Sequence, residues 1–462
     1  MEEKTFQQEN NEILRSVINK GFIDYLSGDK KIVNEKMGIE LYITTECNQR
    51  CSYCYLCAND DKLYPKEIRN RETILKNYKI FLDYCVEKKL KPQHFDLFTG
   101  EIWESDFGVE ILSILVDYLE NQKDFMPELI MIPSNCSFIF NDKYLPKIEA
   151  ILKRVINNEE IPTRICFSCS NDGLYIDKLT RPYNDPKRQE LKGTQEYYDK
   201  MFEFCKKWNF AFHPMVSAHG IEAWEENFKW WMETIRKYDL DPLSYIMFLE
   251  TRNNDWTEEK IIHYLRYINY SIDYLIENEM PRFGNKLESY VKYMNGHLHK
   301  AYNKFNPLRP ITHAFWPTCS IARTLTVRLG DLAIVPCHRL SYDELNFGKF
   351  VVKNDKIVDV EAKNIQMMNQ IWLNNMYGSA KCNYCPYNAL CTRGCYGSQY
   401  ESTGELLYPC ETVCDLYKAK SIFLYEKYKQ LGILDKLTSN TLTDLYNKIK
   451  ETEEYKKWSE IA

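Results

Sequence analysis

The chain has 462 residues and a net charge of −6. This acidic balance argues against a nucleic-acid-binding protein dominated by phosphate contacts, and no apolar run approaches the roughly 18 residues that a membrane span requires. The sequence contains 17 cysteines and no apolar signal segment after Met1, which favours metal or redox chemistry in the cytoplasm over a disulfide scaffold. This length predicts two or three domains.

The hydrophobic pattern predicts an N-terminal helical extension at 1–37 and then six alternating strand and helix units. The extension has helical patterns at 6–18 and 23–27. The strand patterns cover 39–45, 94–99, 128–133, 164–170, 210–216 and 243–250. The helical patterns cover 69–88, 108–121, 144–157, 194–208, 221–238 and 257–279. This alternation predicts an α/β fold with a parallel sheet, and six units rather than eight predict a partial (β/α)6 TIM-like barrel.

Three cysteines follow the first predicted strand at C-x3-C-x2-C spacing, namely Cys47, Cys51 and Cys54. Three thiolates can hold three irons of a four-iron, four-sulfur (4Fe-4S) cluster and leave the fourth iron open to a small molecule. Ferredoxins instead use C-x2-C-x2-C with a fourth cysteine further on. Zinc is an alternative, but it takes four ligands and usually C-x2-C pairs. Cys57 could close the cluster, although the x3 spacing favours a bystander thiol.

Polar residues also follow the other five predicted strands, at the rim where barrels of this kind place their chemistry. Each is a weak signal alone, because Gly-Glu or Ser-Asn after a strand is usually a turn. Together they predict a site at one rim. In chain order they are Gly100 and Glu101, Ser134 and Asn135, Ser168, Ser170 and Asp172, Ser217, and Glu250 and Arg252.

A second group of eight cysteines lies at 319–414. A hairpin pattern at 325–335 stands between the first two, and C-x2-C-x5-C-x3-C follows at 382–395. Eight thiolates suffice for two four-cysteine clusters, with a zinc knuckle as the alternative. Helical patterns at 416–431 and 441–458 predict a C-terminal cap. The eight are Cys319, Cys337, Cys382, Cys385, Cys391, Cys395, Cys410 and Cys414.

The first cysteine motif, with Tyr53 before its last cysteine, resembles that of radical S-adenosylmethionine (SAM) enzymes. In that family the open iron binds SAM, whose cleavage gives a 5′-deoxyadenosyl radical. Thr99-Gly100-Glu101-Ile102 partly resembles the Gly-Gly-Glu-Pro segment that receives the SAM amino group, and Ser134-Asn135 resembles the turn under the ribose. Ser170 to Gly173, with Arg181, resembles the Ser-x-Asp-Gly…Arg segment of SAM peptide maturases. An ion pair at the rim is the alternative for Arg181 and Glu250. The cofactor-binding residues that the resemblance implies are Tyr53, Gly100, Glu101, Ser134, Asn135, Ser168, Ser170, Asp172, Arg181 and Ser217.

The second cysteine group resembles the SPASM domain, an extension that holds auxiliary iron–sulfur clusters. The resemblance implies two auxiliary 4Fe-4S clusters. One would use Cys382, Cys385, Cys391 and Cys414, and the other Cys319, Cys337 and Cys395, with Cys410 completing it or leaving it open. The predicted domains are the extension at 1–37, the radical SAM partial barrel at 38–280, a linker at 281–318, the SPASM domain at 319–420 and C-terminal helices at 421–462.

The resemblance spans residues 38–420 and implies an enzyme that acts on a peptide. The segments at 170–173, 248–253 and 336–339 resemble maturases paired with cysteine-repeat precursors, which join a cysteine sulfur to a carbon. We therefore predict thioether formation in a ribosomally made precursor peptide, with a reducing partner such as flavodoxin or ferredoxin. The predicted catalytic residues are His338, Arg339, Glu250 and Arg252.

Three alternatives stay open at this stage. One is an anaerobic sulfatase-maturing enzyme, in which an Asp after the hairpin's second cysteine acts as the base, whereas here that residue is His338. Another is a maturase that forms C–C crosslinks or epimerises residues. The third is a zinc-dependent adaptor or nucleic-acid module without enzymatic activity, against which the acidic charge weighs.

Overall fold

The computed structural model describes residues 5–20, 38–156, 158–240, 248–279, 319, 321, 324–388, 391, 394–432, 434 and 440–461. The chain divides into two compact units. Unit 1 comprises Met1–Arg50, Cys54–Ser170 and Ser320–Trp372, and unit 2 comprises Cys51–Tyr53, Asn171–Cys319 and Leu373–Ala462.

Helices and strands alternate along most of the described chain. The strands are β1 (Gly38–Tyr42), β2 (His94–Phe98), β3 (Leu129–Ser134), β4 (Arg164–Cys169), β5 (Met215–Val216), β6 (Leu249–Glu250), β7 (Thr324–Arg328), β8 (Ala333–Val335), β9 (Gly348–Lys353) and β10 (Lys356–Ala362). The helices are α1 (Phe6–Lys20), α2 (Tyr55–Leu63), α3 (Arg71–Glu87), α4 (Asp106–Asn121), α5 (Leu145–Ile156), α6 (Asp177–Thr180), α7 (Pro186–Leu191), α8 (Gln195–Trp208), α9 (Trp224–Lys237), α10 (Glu258–Glu279), α11 (Ile365–Tyr377), α12 (Ala380–Asn383), α13 (Tyr396–Thr403), α14 (Glu411–Gln430), α15 (Asn440–Ile449) and α16 (Glu453–Ser459).

Unit 1 is built on an eight-stranded sheet with the order β10-β9-β8-β7-β1-β2-β3-β4. Strands β7, β1, β2, β3 and β4 are parallel to their neighbours, while β7 to β10 form an antiparallel meander. Every residue of the central strand β1 is buried, as expected for a parallel strand covered on both faces. The α/β class is therefore confirmed.

The expectation of six parallel strands in one sheet is wrong for the described residues. The first four predicted strands pair in order, but β5 and β6 pair with each other as a separate parallel ladder in unit 2. Pro214 interrupts the fifth predicted strand, because proline has no N–H to donate. The ladder begins at Met215, and the Pro214 carbonyl accepts from Leu249 N at 3.1 Å. Most of the sixth predicted strand lies outside the described residues.

The predicted hairpin is confirmed, since β7 and β8 pair antiparallel with Thr326 opposite Val335. Its partner in the sheet was not predicted. Strand β7 lies parallel to β1, with Gly38 opposite Thr324, so the hairpin covers an edge of β1 that would otherwise expose unpaired backbone groups.

Most helix predictions are confirmed to within a few residues, and several helices begin at a residue that caps them. The Asn70 side chain accepts from Thr73 N at α3, and Ser105 accepts from Gly108 N at α4. One prediction is wrong: the pattern at 441–458 forms two helices, because Thr452 caps a new helix at α16. The predicted helix at 23–27 and the linker at 281–318 lie outside the described residues, and no described helix has the length and apolarity to cross a membrane.

Candidate functional site

The loop that carries Cys47, Cys51 and Cys54, hereafter the cysteine loop (residues 43–54), begins at the end of β1. The turn after β2 lies against its first half. Gly100 N donates to Thr44 O at 3.0 Å, and Glu101 N donates to Glu46 O at 2.6 Å. A Cβ on residue 100 would lie 2.1 Å from Glu46 O, so only glycine permits this close approach. The predicted Gly-Glu turn therefore packs backbone to backbone on the cysteine loop.

Glu101 is a buried carboxylate that joins the ends of β2 and β3. Its Oε2 accepts from Ser134 Oγ at 2.9 Å and from Asn135 N at 2.6 Å. Burial raises the pKa of Glu101 to about 7, and the hydrogen bonds from Asn135 and Ser134 offset only part of this effect. The structure thus brings together three of the predicted cofactor-binding residues around one carboxylate.

The raised pKa of Glu101 makes the stability of the fold depend on pH. Because the folded pKa lies above the ordinary value of 4.5, the folded state retains the proton more tightly, and stability falls as pH rises from about 4.5 through about 7. The difference corresponds to about 3 kcal/mol. We expect Glu101→Gln to be more stable than the wild type at pH 8, with the difference shrinking towards pH 5 in denaturant titrations. Glu110→Gln, exposed on α4, is the control; a pH-independent effect of Glu101→Gln would contradict the assignment.

The residue after Cys47 is held by a hydrogen-bond network that the sequence analysis missed. Asn48 Oδ1 accepts from Asn135 Nδ2 at 2.7 Å, and Asn48 Nδ2 donates to Ser137 Oγ at 2.7 Å. Glu104 accepts from Ser137 Oγ at 3.0 Å and from Asn141 Nδ2 at 2.7 Å. The network ties the cysteine loop to the end of β3. The only sequence signal for this network is that its polar residues follow predicted strands at short distances.

The donor set of the cysteine loop suits iron–sulfur ligation. Cys47, Cys51 and Cys54 are partly exposed. Gln49 N donates to Cys47 Sγ at 3.4 Å, and hydrogen bonds to ligand sulfurs tune such clusters. Five cysteines outside the two cysteine groups are buried, namely Cys85, Cys136, Cys166, Cys169 and Cys205. Among the described residues, no three His, Cys, Asp or Glu side chains converge as around a metal ion.

Cys57 is exposed on α2, and its thiol is a hydrogen-bond neighbour of Cys54. The hydrogen bond with Cys57 is the largest cause that raises the pKa of Cys54, followed by burial. The bystander interpretation of Cys57 stays a prediction.

In unit 2, Tyr53 stands between an aspartate and an arginine, all three of which the sequence analysis selected. Tyr53 Oη donates to Asp172 Oδ2 at 2.7 Å and accepts from Arg181 Nη1 at 2.8 Å. Asp172 also accepts from Thr180 Oγ1 at 2.6 Å and from Met215 N at 2.9 Å. Both carboxylate oxygens of Asp172 therefore accept hydrogen bonds at the centre of a buried network.

Arg181 is the charged partner of this network. Burial would lower the pKa of Arg181, but the neighbouring Cys51, Tyr53 and Asp172 outweigh burial and raise it. The predicted ion-pair alternative for Arg181 is present, because Nε lies 3.6 Å from Asp177 Oδ1.

The three predicted serines take different positions. Ser168 is buried within β4. Ser170 N donates to Ser134 O at 2.7 Å, which extends the pairing of β3 and β4. Ser217 Oγ donates to His219 O at 2.8 Å and so closes the turn after β5. Their roles at a cofactor stay predictions.

His338 is fixed in unit 1 by a buried carboxylate of β1. Its Nδ1 lies 2.8 Å from Glu40 Oε2, and its ring stacks on Phe98 at 3.6 Å between centroids. Burial would raise the pKa of Glu40, but the charge and hydrogen bonds of His338 outweigh it and hold the pKa below its usual value. The Arg339 guanidinium lies over the Tyr55 ring at 5.4 Å.

Glu250 and Arg252, the other predicted catalytic residues, lie in unit 2 and contact the C-terminal segment. Glu250 accepts from Lys420 Nζ of α14 and from Tyr264 Oη of α10. Lys420 has a side chain with 0% exposure, so this is a buried ion pair. Arg252 Nη1 donates to Gly394 O at 3.4 Å, next to Cys395. For Glu250 the ion-pair alternative is therefore present.

Several cysteines of the second group have defined neighbours within unit 2. Burial raises the pKa of Cys414 to about 12, with Cys382 as the next cause and Cys385 a smaller one. Ser379 Oγ donates to Cys382 Sγ at 3.3 Å. The backbone of Cys319 is held on both sides by the buried Asn375 amide at 3.0 Å. Cys337 precedes the short 3-10 turn His338–Leu340 in unit 1.

Comparison with known proteins bears on the fold. No protein-family model matches the chain, and no curated protein matches it. A solved structure of hexahistidine-tagged anSMEcpe with bound AdoMet matches with a TM-score of 0.55 at 15% identity, covering 88% of this chain and 98% of that chain. The chain has the fold of anSMEcpe. A second structure, native anSMEcpe with bound AdoMet and Cp18Cys peptide, matches with a TM-score of 0.52 at 15% identity, covering 87% of this chain and 100% of that chain.

The likeness concerns the fold and agrees with the predicted fold resemblance. The cysteine loop and the Gly-Glu turn were predictable from the sequence because their spacing is local. Asn48, Glu104 and Lys420 were not, because their partners are far apart in the chain. A lysine such as Lys420 is an ordinary solvated residue by pattern, and only a partner makes its burial possible.

Proposed function

We propose that this chain is a radical SAM enzyme that forms thioether crosslinks in a ribosomally made precursor peptide. The observation that carries the proposal is the cysteine loop. Three partly exposed thiols at C-x3-C-x2-C spacing leave the end of β1 in a chain with the fold of anSMEcpe. A reducing partner such as flavodoxin or ferredoxin would supply electrons, and the SPASM cysteines would hold two auxiliary clusters.

The residues present fit SAM and its cluster. Cys47, Cys51 and Cys54 would hold the 4Fe-4S cluster, and the Glu101 carboxylate would receive the SAM amino group. Arg181 would receive the SAM carboxylate, because its guanidinium has five N–H donors and the Tyr53 hydroxyl accepts from one of them, at Nη1. When bound, SAM and its cluster would supply the radical chemistry that removes a hydrogen atom from the peptide. The auxiliary clusters would accept the remaining electron.

His338 would take the proton of the substrate thiol. If Nδ1–H donates to Glu40, the neutral ring carries its lone pair on Nε2, which is then the basic nitrogen. The net change in the peptide replaces one S–H and one C–H bond with one S–C bond. One hydrogen leaves with 5′-deoxyadenosine, and the other leaves as a proton on His338 and an electron. Arg339 and Arg252 would contact the peptide.

The proposal predicts a specific change in substrate mass. The anaerobically reconstituted chain, given SAM, a reductant and the precursor peptide encoded beside its gene, should remove two hydrogens per crosslink. A peptide with alanine at the cysteines is the control and should stay unchanged. No mass change in the wild-type peptide would contradict crosslinking, and uptake of deuterium from heavy water would instead indicate epimerisation.

A second candidate is oxidation of a cysteine to formylglycine, as in sulfatase maturation. The fold likeness to anSMEcpe, whose structure contains the Cp18Cys peptide, favours it. The two candidates differ in their products. Formylglycine is an aldehyde and reacts with hydrazides, whereas a thioether does not. Treatment of the product peptide with a hydrazide probe therefore separates the two functions.

A further inference from the structure

Lys192 is a fully buried cation that neither a motif nor a neighbouring strand end indicated. Its side chain is 1% exposed, and its Nζ lies 3.0 Å from Asp177 Oδ2, itself on a side chain with 1% exposure. Nζ also donates to the Arg181 carbonyl oxygen and lies 4.7 Å from the centre of the Tyr183 ring. A buried lysine is costly unless it is paired. Its burial beside Arg181 therefore calls for a reason.

Asp177 is shared between two cations. Its Oδ2 faces Lys192, while its Oδ1 lies 3.6 Å from Arg181 Nε and accepts from Asp172 N at 2.9 Å. Arg181, 9% exposed, meanwhile donates to Tyr53 Oη at 2.8 Å through Nη1. The buried group contains two aspartates and two cations, so its charges balance only while Lys192 is present.

Removal of Lys192 would leave Asp177 with Arg181 as its nearest cation. In a buried setting the attraction between unit charges rises steeply at short separation. The Arg181 guanidinium would then move from Tyr53 to Asp177. Its remaining N–H donors would form a bidentate pair with the Asp177 carboxylate.

We propose that Lys192 is a positioning residue: by neutralising Asp177, it keeps the Arg181 guanidinium on Tyr53 and its remaining donors available to the carboxylate of SAM. The inference rests on the proposed function for SAM, and it adds a residue that would act on the cofactor through Arg181. Burial lowers the pKa of Lys192, and Asp177 opposes this effect through its charge and hydrogen bond.

Affinity for SAM in four reconstituted proteins tests the inference. These are the wild type, Lys192→Met, Asp177→Asn and the double variant, with Kd measured by anaerobic equilibrium dialysis and iron content measured in each. We expect Lys192→Met to weaken SAM binding at least tenfold at wild-type iron content. Asp177→Asn and the double variant should bind SAM within about threefold of the wild type, because the competing carboxylate is gone. Lys178→Met, exposed on α6, is the matched control and should bind SAM as the wild type does.

The Asp177→Asn variant separates positioning from simple packing. If the Lys192–Asp177 pair only stabilises the fold, both single variants break it and should weaken SAM binding alike, which would overturn the inference. Unchanged affinity in Lys192→Met would overturn it as well. If Lys192→Met does not fold, weakened binding by Asp177→Asn still contradicts the inference and retained binding supports it. A wild-type chain that binds iron but not SAM would instead contradict the proposed function.

Discussion

Replacing Cys47, Cys51 and Cys54 together with alanine is expected to abolish SAM cleavage and to remove about a third of the iron. Three 4Fe-4S clusters would hold about twelve irons per chain, and loss of one leaves about eight. The auxiliary cysteines are not altered, so their iron should remain. Iron and sulfide content after anaerobic reconstitution, with 5′-deoxyadenosine release as the activity, is the measurement.

Cys57→Ala is the matched control for this variant, because Cys57 lies three residues after Cys54 and is exposed. A bystander thiol can be removed with little effect on iron content or SAM cleavage. If instead the triple variant keeps all its iron, the cysteine loop holds no cluster. If Cys57→Ala loses as much iron as the triple variant, Cys57 is a ligand and the open iron position is absent.

Replacing Lys420 with methionine is expected to destabilise the chain by about 3–5 kcal/mol. Lys420 is fully buried and pairs with Glu250 at the end of β6. Without it the Glu250 carboxylate loses its lysine partner and keeps the Tyr264 hydroxyl as a donor, which does not neutralise the charge. The shift in the denaturation midpoint by urea, converted through the slope of the transition, measures the effect.

Two further variants show whether this cost comes from the buried charge. Lys429→Met removes a lysine of the same helix that pairs with Glu426 but is 57% exposed, so it should cost less than about 1 kcal/mol. The double variant Lys420→Met with Glu250→Gln removes both charges and should regain most of the lost stability. Equal destabilisation by Lys420→Met and Lys429→Met would show that Glu250 is not buried as an ion pair.

The position of Glu250 also changes how its predicted role is understood. Its carboxylate accepts from a buried lysine of α14 and a tyrosine hydroxyl of α10, so Glu250 makes a structural contact among β6, α10 and α14. His338 differs, because Glu40 holds its ring through Nδ1. The role of His338 as a base stays part of the proposed function.

The sequence by itself determined the features that depend on neighbours along the chain. Periodicity located β1 to β4 and most helices, because burial on one or both faces imposes a period of about two or 3.6 residues. The spacing of the cysteine loop and the glycine at Gly100 were readable for the same reason, since the loop closes over a few residues.

Only the tertiary structure decided the features that join distant segments. Strand β7 pairs with β1 rather than forming a sheet of its own, and no local pattern records that choice, because an edge strand accepts any partner with a free backbone. Lys192 and Lys420 look like solvated lysines in sequence, yet both are buried. Their burial depends on Asp177 and Glu250, which periodicity cannot match to them, because an ion pair is fixed by distance in space and not by spacing along the chain.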